Sequence, residues 1–426
     1  MSVSTLPREK ASGAVVLCLF GCLLRIVLSD PLLDSIGIHY DTIGEGSFYE
    51  KIHPGTVLIL LSFFVLLLEE GNPFRRLLLV GKEYTAYLSL LALYVLLFVY
   101  MGLRSGFAGL AFLIDTHMTV AVCTLVLSTA PPRLCRVALH VFIVLAACNS
   151  IIGIAEAVGR FRVFTFDPSW PVLKEQYFRA SALLGHPLNN AMFASVALFV
   201  SLGAGYPPMR TRALALLFTL SLVAFGGRAG LGVSLAGLLF LALAGIWKGE
   251  DGRQNGTHRI ASKALLFLLA PLFLCCGIYL ALNTPMGERL AASLTWDASA
   301  ESRKLAWQVF DVMTRTEILF GVSSDRIVDI TYRLNQSVAL AEIENPWLMM
   351  LLYLGALAFP FWLIATFVFL RRLMRGLPLA LKLAVVAYFL IASTSNSFGR
   401  KDANYALMVA AVICASRGAR DRSSLP

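Results

Sequence analysis

Charged residues are scarce in this chain of 426 residues. Asp, Glu, Lys and Arg together make up 15% of it, whereas hydrophobic residues make up 58% and the mean hydropathy is +0.74. A soluble fold of this length cannot bury so much apolar surface. The composition therefore excludes a soluble globular protein and predicts an all-α protein that crosses a membrane several times.

Patterns typical of several other functions are also missing. No glycine-rich nucleotide loop, Ser-His-Asp arrangement, internal repeat or low-complexity tract stands out. The net charge of +10 comes mostly from short loops between apolar runs, so it does not indicate nucleic acid as a partner. The cysteines lack the spacing of metal ligands and of a disulfide framework, so we interpret them as small buried hydrophobes. We accordingly predict no cofactor and no metal. The cysteines are Cys18, Cys22, Cys123, Cys135, Cys148, Cys275, Cys276 and Cys414.

Apolar runs long enough to cross a hydrocarbon core predict about twelve transmembrane helices. The first run follows basic residues like a signal peptide, but it contains Arg25 and lacks a small-residue cleavage pattern, so we predict a retained span. Nine spans would lie within 1–283, a large outer loop would cover 284–346, and three spans would lie within 347–426. The runs are 13–29, 55–69, 84–102, 107–129, 137–158, 190–204, 212–226, 229–247, 264–283, 347–370, 380–394 and 403–416.

The charges of the loops predict the orientation. If the N-terminus is cytoplasmic, every inward loop is basic, whereas the first outward loop, 30–54, carries five acidic residues. Both termini are therefore predicted to be cytoplasmic. The basic inward residues are Arg75, Arg76, Lys82, Arg133, Arg136, Arg210, Arg212, Lys248, Arg253, Arg259, Lys263, Arg371, Arg372, Arg375, Lys382, Arg417, Arg420 and Arg422.

Two outward segments, 159–189 and 284–346, are longer than a connection requires, and long ordered loops are usually functional. Within the second segment, Glu301–Met313 has the periodicity of an amphipathic helix. Arg303, Trp307 and Phe310 would share one face of it, which favours a position at the membrane surface.

Four arginines lie in or beside polar breaks that the predicted topology puts on the outer face: Arg179, Arg228, Arg303 and Arg400. A guanidinium group is a permanent planar cation that pairs with phosphate, so these residues suggest an anionic, lipid-linked phosphate substrate. Other interpretations stay open. Arg228, in a glycine-rich turn, fits a snorkelling anchor, and Arg400 fits ordinary surface charge.

Other polar residues have both a structural and a functional interpretation. His186 precedes Asn189 and Asn190 where the sixth span begins, so either asparagine suits the helix cap, and His186 suits a structural role or ligand binding. Glu344 and Asn345 stand at the start of the tenth span, where a carboxylate fits either a helix N-terminus or a general base. Ionisable residues inside spans are functional candidates by default, and they are Arg25, Asp115, His117 and Glu156. Asp115 would suit the proton relay of a transporter.

The Arg179 segment, the turn at 226–230 and the long loop that ends at Glu344-Asn345-Pro346-Trp347-Leu348 occur here in one order within twelve predicted spans. In this combination they resemble the superfamily of bacterial O-antigen ligases and O-antigen polymerases. Ligases have an arginine followed four residues later by leucine, which Arg179 and Leu183 reproduce.

Ligases also have His-Asn followed after nine residues by glycine. Asn345 and Gly355 keep this spacing, but Glu344 stands in place of the histidine. Polymerases have an arginine followed sixteen residues later by glycine, whereas Arg179 and Arg303 are followed at that distance by Ser195 and Leu319. The resemblance therefore covers the superfamily and leaves its branch open.

The resemblance implies a glycosyltransferase at the periplasmic face of a bacterial inner membrane. It would move a glycan from undecaprenyl pyrophosphate to a glycan hydroxyl, as an exopolysaccharide or O-antigen polymerase, with a repeat-unit flippase and a chain-length regulator as partners. Alternatives are an O-antigen ligase that uses a lipid A core, a protein O-oligosaccharyltransferase, and, from another class, a secondary transporter or lipid-linked glycan flippase. The expected catalytic residues are Glu344, Arg303 and Arg179, and the expected substrate-binding residues are Arg228, His186, Asn345 and Arg400.

Overall fold

The structure is a computed structural model that describes residues 12–40, 47–69, 71–107, 109–164, 178–247, 304–338, 343–395 and 397–420. Within these ranges all regular secondary structure is helical, which confirms the all-α prediction. The first group of helices is α1 Gly13–Val27, α2 Asp30–Ser35, α3 Pro54–Leu68, α4 Pro73–Glu83, α5 Thr85–Ser105, a π-helix Leu113–Met118, α6 Thr119–Leu127 and α7 Pro132–Gly159. The second group is α8 Pro187–Gly203, α9 Pro208–Phe225, α10 Arg228–Trp247, a 3₁₀-helix Ala306–Asp311, α11 Arg315–Phe320, α12 Ser324–Val338, α13 Pro346–Met374, α14 Leu379–Ala392 and α15 Ala403–Arg420.

Four of the described helices, α5, α7, α9 and α13, are long and apolar enough to cross a membrane, and α3 with α4 adds a fifth candidate bent by 107°. The predicted count of twelve full spans is therefore not supported. Six other apolar helices fall on predicted runs, but over the residues tested each is shorter than 18 residues. The 14 residues of α14, for example, rise about 21 Å, less than the ~30 Å of a hydrocarbon core. The predicted span 264–283 lies outside the described residues.

Three of the shorter helices, α6, α8 and α15, form the centre of the bundle. Every residue of α6 is buried, as is the run from Asn190 to Ser201 in α8 and from Tyr405 to Ala415 in α15. A helix that is apolar and buried on all sides belongs to the interior of a bundle. The long helices surround it and expose large apolar side chains such as Leu96, Leu103 and Phe361. This arrangement is that of a multi-pass membrane protein, with apolar side chains on its lipid-facing surface.

Contacts between helix ends define two ends of the bundle. The end of α1 meets the start of α3, where Arg25 Nη1 donates to Thr56 Oγ1 at 2.6 Å. The segment before α8 contacts the end of α9 through a 3.2 Å hydrogen bond from Ala180 N–H to Ala224 O. We call this end, which carries Arg179, Arg228 and Arg400, the arginine end. At the opposite end, Tyr84 and Arg417 both donate to the carbonyl of Ser128, at 2.9 and 2.7 Å.

Helix α13 is broken at Gly355, where φ is 70° and ψ is 170°. This backbone region is open essentially only to glycine. The break lets the backbone of Gly321 approach closely, and Val322 N–H donates to Leu352 O at 2.7 Å. Arg104, at the end of α5, also donates to Val322 O and Tyr353 O, at 3.0 and 3.2 Å. The break therefore attaches the segment 315–338 to the transmembrane bundle.

The amphipathic helix predicted over Glu301–Met313 lies partly outside the described residues, which begin again at Lys304. Lys304 and Leu305 are α-helical, and the 3₁₀-helix that follows buries Ala306 and Val309. Trp307, expected with Phe310 on one face, is 56% exposed. The amphipathic helix that does occur in the large loop is α12, whose buried stripe of Ile327, Ile330 and Leu334 follows helical spacing.

We predict that Gly355→Ala destabilises the protein by about 2–5 kcal/mol, the sum of backbone strain and overpacking against Gly321. The matched control is Gly376→Ala. Gly376 also has a positive φ, 74°, but a Cβ there meets nothing within 4 Å, so we expect only the strain cost of about 1–2 kcal/mol. Thermal unfolding in detergent should show the larger decrease for Gly355→Ala. Equal decreases would mean that the contact with Gly321 contributes nothing.

Candidate functional site

The site begins at a buried carboxylate in the π-helix. Asp115 accepts hydrogen bonds from the hydroxyl of Tyr40 at 2.7 Å and from the backbone N–H of His53 at 3.2 Å. The Asp115 carbonyl accepts from Arg25 Nη1 at 2.6 Å, and this guanidinium also bonds Thr56. All five residues are buried. Asp115 thus holds the loop between α2 and α3 against the bundle.

The next two residues of the π-helix hold a second loop. The Thr116 hydroxyl donates to Arg400 O at 2.9 Å and accepts from the N–H of Asp402 at 2.8 Å. His117 Nε2 lies 2.9 Å from Phe398 O, and because a carbonyl only accepts, Nε2 must carry the proton. These bonds fix the backbone of the 397–402 loop. The side chain of Arg400 remains exposed at the arginine end.

Glu156, the buried carboxylate of α7, fixes the segment that carries Arg179. One carboxylate oxygen accepts from Val163 N–H at 2.7 Å, and the other accepts from Ser181 and Ala182 N–H, at 2.7 and 2.9 Å. A carboxylate that accepts several backbone N–H groups stabilises a loop that has no helix or sheet partner. Glu156, a functional candidate in the sequence, has a structural role here.

The backbone of Arg179 is held in the same way. Arg162 donates to its carbonyl from Nη2 at 3.1 Å and stacks on Phe178, with its guanidinium 4.9 Å from the ring centroid. The neighbouring Ala180 N–H bonds the end of α9. These contacts hold the Arg179 backbone in place and set where its half-buried side chain begins.

His186 caps α8, a role that the sequence assigned to Asn189 or Asn190. Its Nδ1 accepts from Leu188 N–H at 3.3 Å, so in the neutral ring Nε2 carries the proton. Surrounding protein and the positive charges of Arg179 and Arg400 lower the pKa of His186, although the residue keeps solvent access. The imidazole is therefore neutral near pH 7. Arg179 and Arg400, 221 positions apart in the chain, both act on this ring through their positive charge.

Arg228 begins α10 at the same end, and its side chain is exposed. The glycines before it form the tight turn that the sequence predicts, with Gly226 at φ 61°. A Cβ on Gly227 would lie only 2.6 Å from the Cβ of Ala191, so the turn packs directly on the first turns of α8. Arg228 therefore lies beside the helix that His186 caps.

Glu344 and Asn345 precede α13. The side-chain oxygen of Asn345 accepts from the N–H groups of Trp347 and Leu348, both at 3.1 Å, and so caps the helix. The ring of Trp347 is 5.2 Å from that of Phe398, so this segment packs beside the loop that carries Arg400. Glu344, half-buried, stands one residue before the cap.

The structure thus brings Arg179, His186 and Arg400 together and places Arg228, Glu344 and Asn345 at the same end. Arg303 lies outside the described residues. Sequence reasoning missed Tyr40, His53 and Asp402, which support the site through partners distant in the chain. No local motif signals them, because each stands in a short loop without periodicity.

The fold and site define an α-helical multi-pass membrane protein with a cationic, polar site at one end. The chain matches no protein-family model, and no curated protein or solved structure is similar to it. The resemblance to the O-antigen ligase and polymerase superfamily therefore depends on the motifs of the sequence.

We predict that Arg400→Gln raises the pKa of His186, because removing a positive charge favours the protonated imidazole. The rate of carbethoxylation of His186 by diethyl pyrocarbonate, measured across pH by mass spectrometry, reports the neutral fraction of the ring. The pH midpoint of this reaction should lie below the ordinary histidine pKa of about 6.5 in the wild type and should move upward in the variant.

Arg371→Gln is the matched control, because Arg371 is an exposed arginine at the opposite end of α13. It should leave the His186 midpoint unchanged. An unchanged midpoint in Arg400→Gln would contradict the convergence of these side chains.

Proposed function

We propose that this protein is a membrane glycosyltransferase that moves a glycan from undecaprenyl pyrophosphate to a hydroxyl of a second glycan. The observation that carries the proposal is that the segments bearing Arg179, His186, Arg228 and Arg400 meet at one end of the bundle, where Glu156 and Thr116 fix two of them. Guanidinium groups from separate loops form a cationic site suited to phosphate, and the apolar helices around it suit a lipid-linked donor.

The reaction exchanges one bond at the anomeric carbon of the donor sugar. The bond to the pyrophosphate oxygen breaks, and its electron pair stays on that oxygen as the acceptor hydroxyl oxygen forms the new bond from the opposite face. Negative charge thus grows on the leaving group, where Arg179 and Arg400 stabilise it. Arg228 and Arg303 are assigned to the same anion. Attack opposite the leaving group inverts the anomeric configuration.

Glu344 is assigned as the general base that takes the proton of the acceptor hydroxyl. Its support is its place beside the Arg400 loop, one residue before the Asn345 cap. His186, neutral and with its proton on Nε2, can donate a hydrogen bond to a phosphate or sugar oxygen without adding charge. Asn345 uses its side-chain oxygen for the cap, which leaves its amide N–H groups for a sugar hydroxyl.

Among the possible acceptors, we favour a second lipid-linked glycan, which makes the protein an exopolysaccharide or O-antigen polymerase. A lipid A core would make it a ligase, and a protein acceptor an oligosaccharyltransferase. Asp115 was the main support for a transporter. Its carboxylate is already bonded to Tyr40 and His53 in a network that fixes a loop, which favours a structural role over proton transport.

We also propose that the shorter apolar helices cross the membrane, because they pack in one apolar bundle with the longer ones. Together with 264–283 they would complete the twelve spans expected from the sequence. Among the described residues, basic residues of the inward loops such as Arg133, Arg210, Arg371 and Arg417 lie at the opposite end. This supports a cytoplasmic location for that end and a periplasmic location for the arginine end of an inner-membrane protein.

Cysteine labelling tests this orientation. Tyr49, 83% exposed between α2 and α3, lies at the arginine end, and Met209, 79% exposed at the start of α9, lies at the opposite end. In spheroplasts, a membrane-impermeant maleimide should label Tyr49→Cys directly but label Met209→Cys only after permeabilisation. The reverse pattern would place the arginine end in the cytoplasm and contradict a periplasmic reaction.

The transferase proposal is tested with purified protein in liposomes that contain a synthetic undecaprenyl-pyrophosphate repeat unit. The wild type should form laddered glycans, whereas Arg179→Gln, Arg400→Gln and Glu344→Gln should each lower the rate about 100-fold or more, as does loss of one oxyanion donor in other enzymes. Gel electrophoresis and mass spectrometry follow the products.

Arg371→Gln serves again as the control and should keep the wild-type rate. Products that appear only when a lipid A core or an acceptor protein is added would identify a ligase or an oligosaccharyltransferase. Transfer of intact lipid across the bilayer without a new glycosidic bond would refute the transferase proposal.

A further inference from the structure

Three cysteines form a buried cluster inside the bundle. The Sγ atoms of Cys18 and Cys22 in α1 and of Cys123 in α6 all lie within 4.8 Å of one another. The Cys22 and Cys123 sulfurs are 3.9 Å apart. The exposed fractions of the three residues are 0%, 6% and 0%. This cluster lies outside the candidate transferase site and has no role in the proposed reaction.

The helices explain how the cluster forms. Cys18 and Cys22 are four residues apart, so they share one face of α1, and the fully buried α6 supplies Cys123 opposite them. Gly21, on α1 beside Cys22, lets the backbone of α1 approach α3 closely at Gly55 and Ile59. The sequence does not reveal this triad, because 101 positions separate Cys22 from Cys123.

The spacing of the sulfurs suits a metal with three thiolate ligands. A metal–sulfur distance of about 2.3 Å in a trigonal plane puts the sulfur atoms about 4 Å apart. The observed separation of 3.9 Å between Cys22 and Cys123 agrees with this value. Soft thiolate ligands select Cu(I), whereas structural Zn²⁺ sites almost always have four ligands. Within the described ranges, no His, Asp, Glu or fourth Cys joins this group.

The charge around the cluster also suits Cu(I). When one Cu⁺ binds, two of the three thiols lose their protons and become thiolates. The complex then carries one net negative charge, and the third sulfur serves as a further ligand. Such a charge is costly in the membrane interior unless a cation lies near it. Arg25 is buried one turn after Cys22, and its Nε atom has no hydrogen-bond partner among the described residues. A cation therefore stands beside the cluster.

We propose that Cys18, Cys22 and Cys123 bind one Cu(I) ion. This inference is independent of the proposed glycosyltransferase function. The competing explanation is that the cysteines pack as small apolar side chains, as buried thiols commonly do. The two explanations differ in whether the reduced protein retains Cu(I) against a strong chelator, and in what ligands the retained ion has.

The test uses the full chain in detergent, reduced and without oxygen, with the other five cysteines replaced by serine. These replacements are Cys135→Ser, Cys148→Ser, Cys275→Ser, Cys276→Ser and Cys414→Ser. Titration with Cu(I) in competition with bicinchoninate should show one tightly held ion per chain. X-ray absorption should then show three sulfur ligands at about 2.3 Å. Neither measurement requires a change to the triad.

Further replacement of Cys22 or Cys123 by serine should lower the Cu(I) affinity more than tenfold, since even indirect perturbation of a metal site costs about 10–100-fold. The matched control is Cys135→Ser alone in the wild-type chain, because Cys135 is buried in α7 away from the triad. It should leave the affinity unchanged. Size-exclusion chromatography and tryptophan fluorescence establish that each variant is folded.

Three results would overturn the proposal. The first is loss of all Cu(I) to the chelator from the folded five-serine protein. The second is X-ray absorption that shows nitrogen or oxygen ligands in place of three sulfurs. The third is an affinity that Cys135→Ser lowers as much as Cys22→Ser does.

Discussion

The buried carboxylate of Asp115 is the group on which the arginine end depends. A carboxylate in an apolar interior is costly unless hydrogen bonds and nearby charges compensate it. Here the compensation comes from Tyr40 and His53, while the backbone of the same residue binds Arg25. Because the next residue, Thr116, holds the Arg400 loop, one short π-helix fixes two loops at once. π-helices occur often at functional sites, and this one positions Arg400, a candidate substrate-binding residue.

The short central helices explain why so many polar side chains are buried. A helix that ends within the membrane leaves loop N–H and C=O groups that neither water nor lipid can satisfy. Glu156 meets this need for three N–H groups, Asn149 for Leu183 at 3.0 Å, and Thr116 for both a carbonyl and an N–H. Several ionisable residues inside the bundle therefore have a structural role. The arginines at its end, of which Arg228 and Arg400 are exposed and Arg179 is half-buried, remain the candidates for chemistry.

The sequence predicts the helices of the bundle well because these are apolar runs, and the glycine-rich turn before Arg228 because glycine permits its positive φ. Its count of twelve spans is not supported by helix length alone, because hydropathy does not reveal how many residues of an apolar run are helical, as in the 14-residue α14. The break at Gly355 is equally hidden, since its apolar flanks continue the pattern of α13. The capping role of His186, the support given by Tyr40 and the cysteine triad depend on contacts between distant positions. Local sequence patterns do not reveal such contacts.

The electrostatics at His186 bear on what this end of the bundle is built to hold. In the large loop, Arg326 lies 2.7 Å from Glu317, and this pair lowers the pKa of Glu317 to about 2, as expected where opposite charges compensate each other. At His186 the surrounding protein and the positive fields of two arginines together lower the pKa of the ring. Positive charge gathered in one region opposes folding through self-repulsion, and an anionic ligand relieves that cost. A pyrophosphate group has this character, because its negative oxygens attract several guanidinium groups at once.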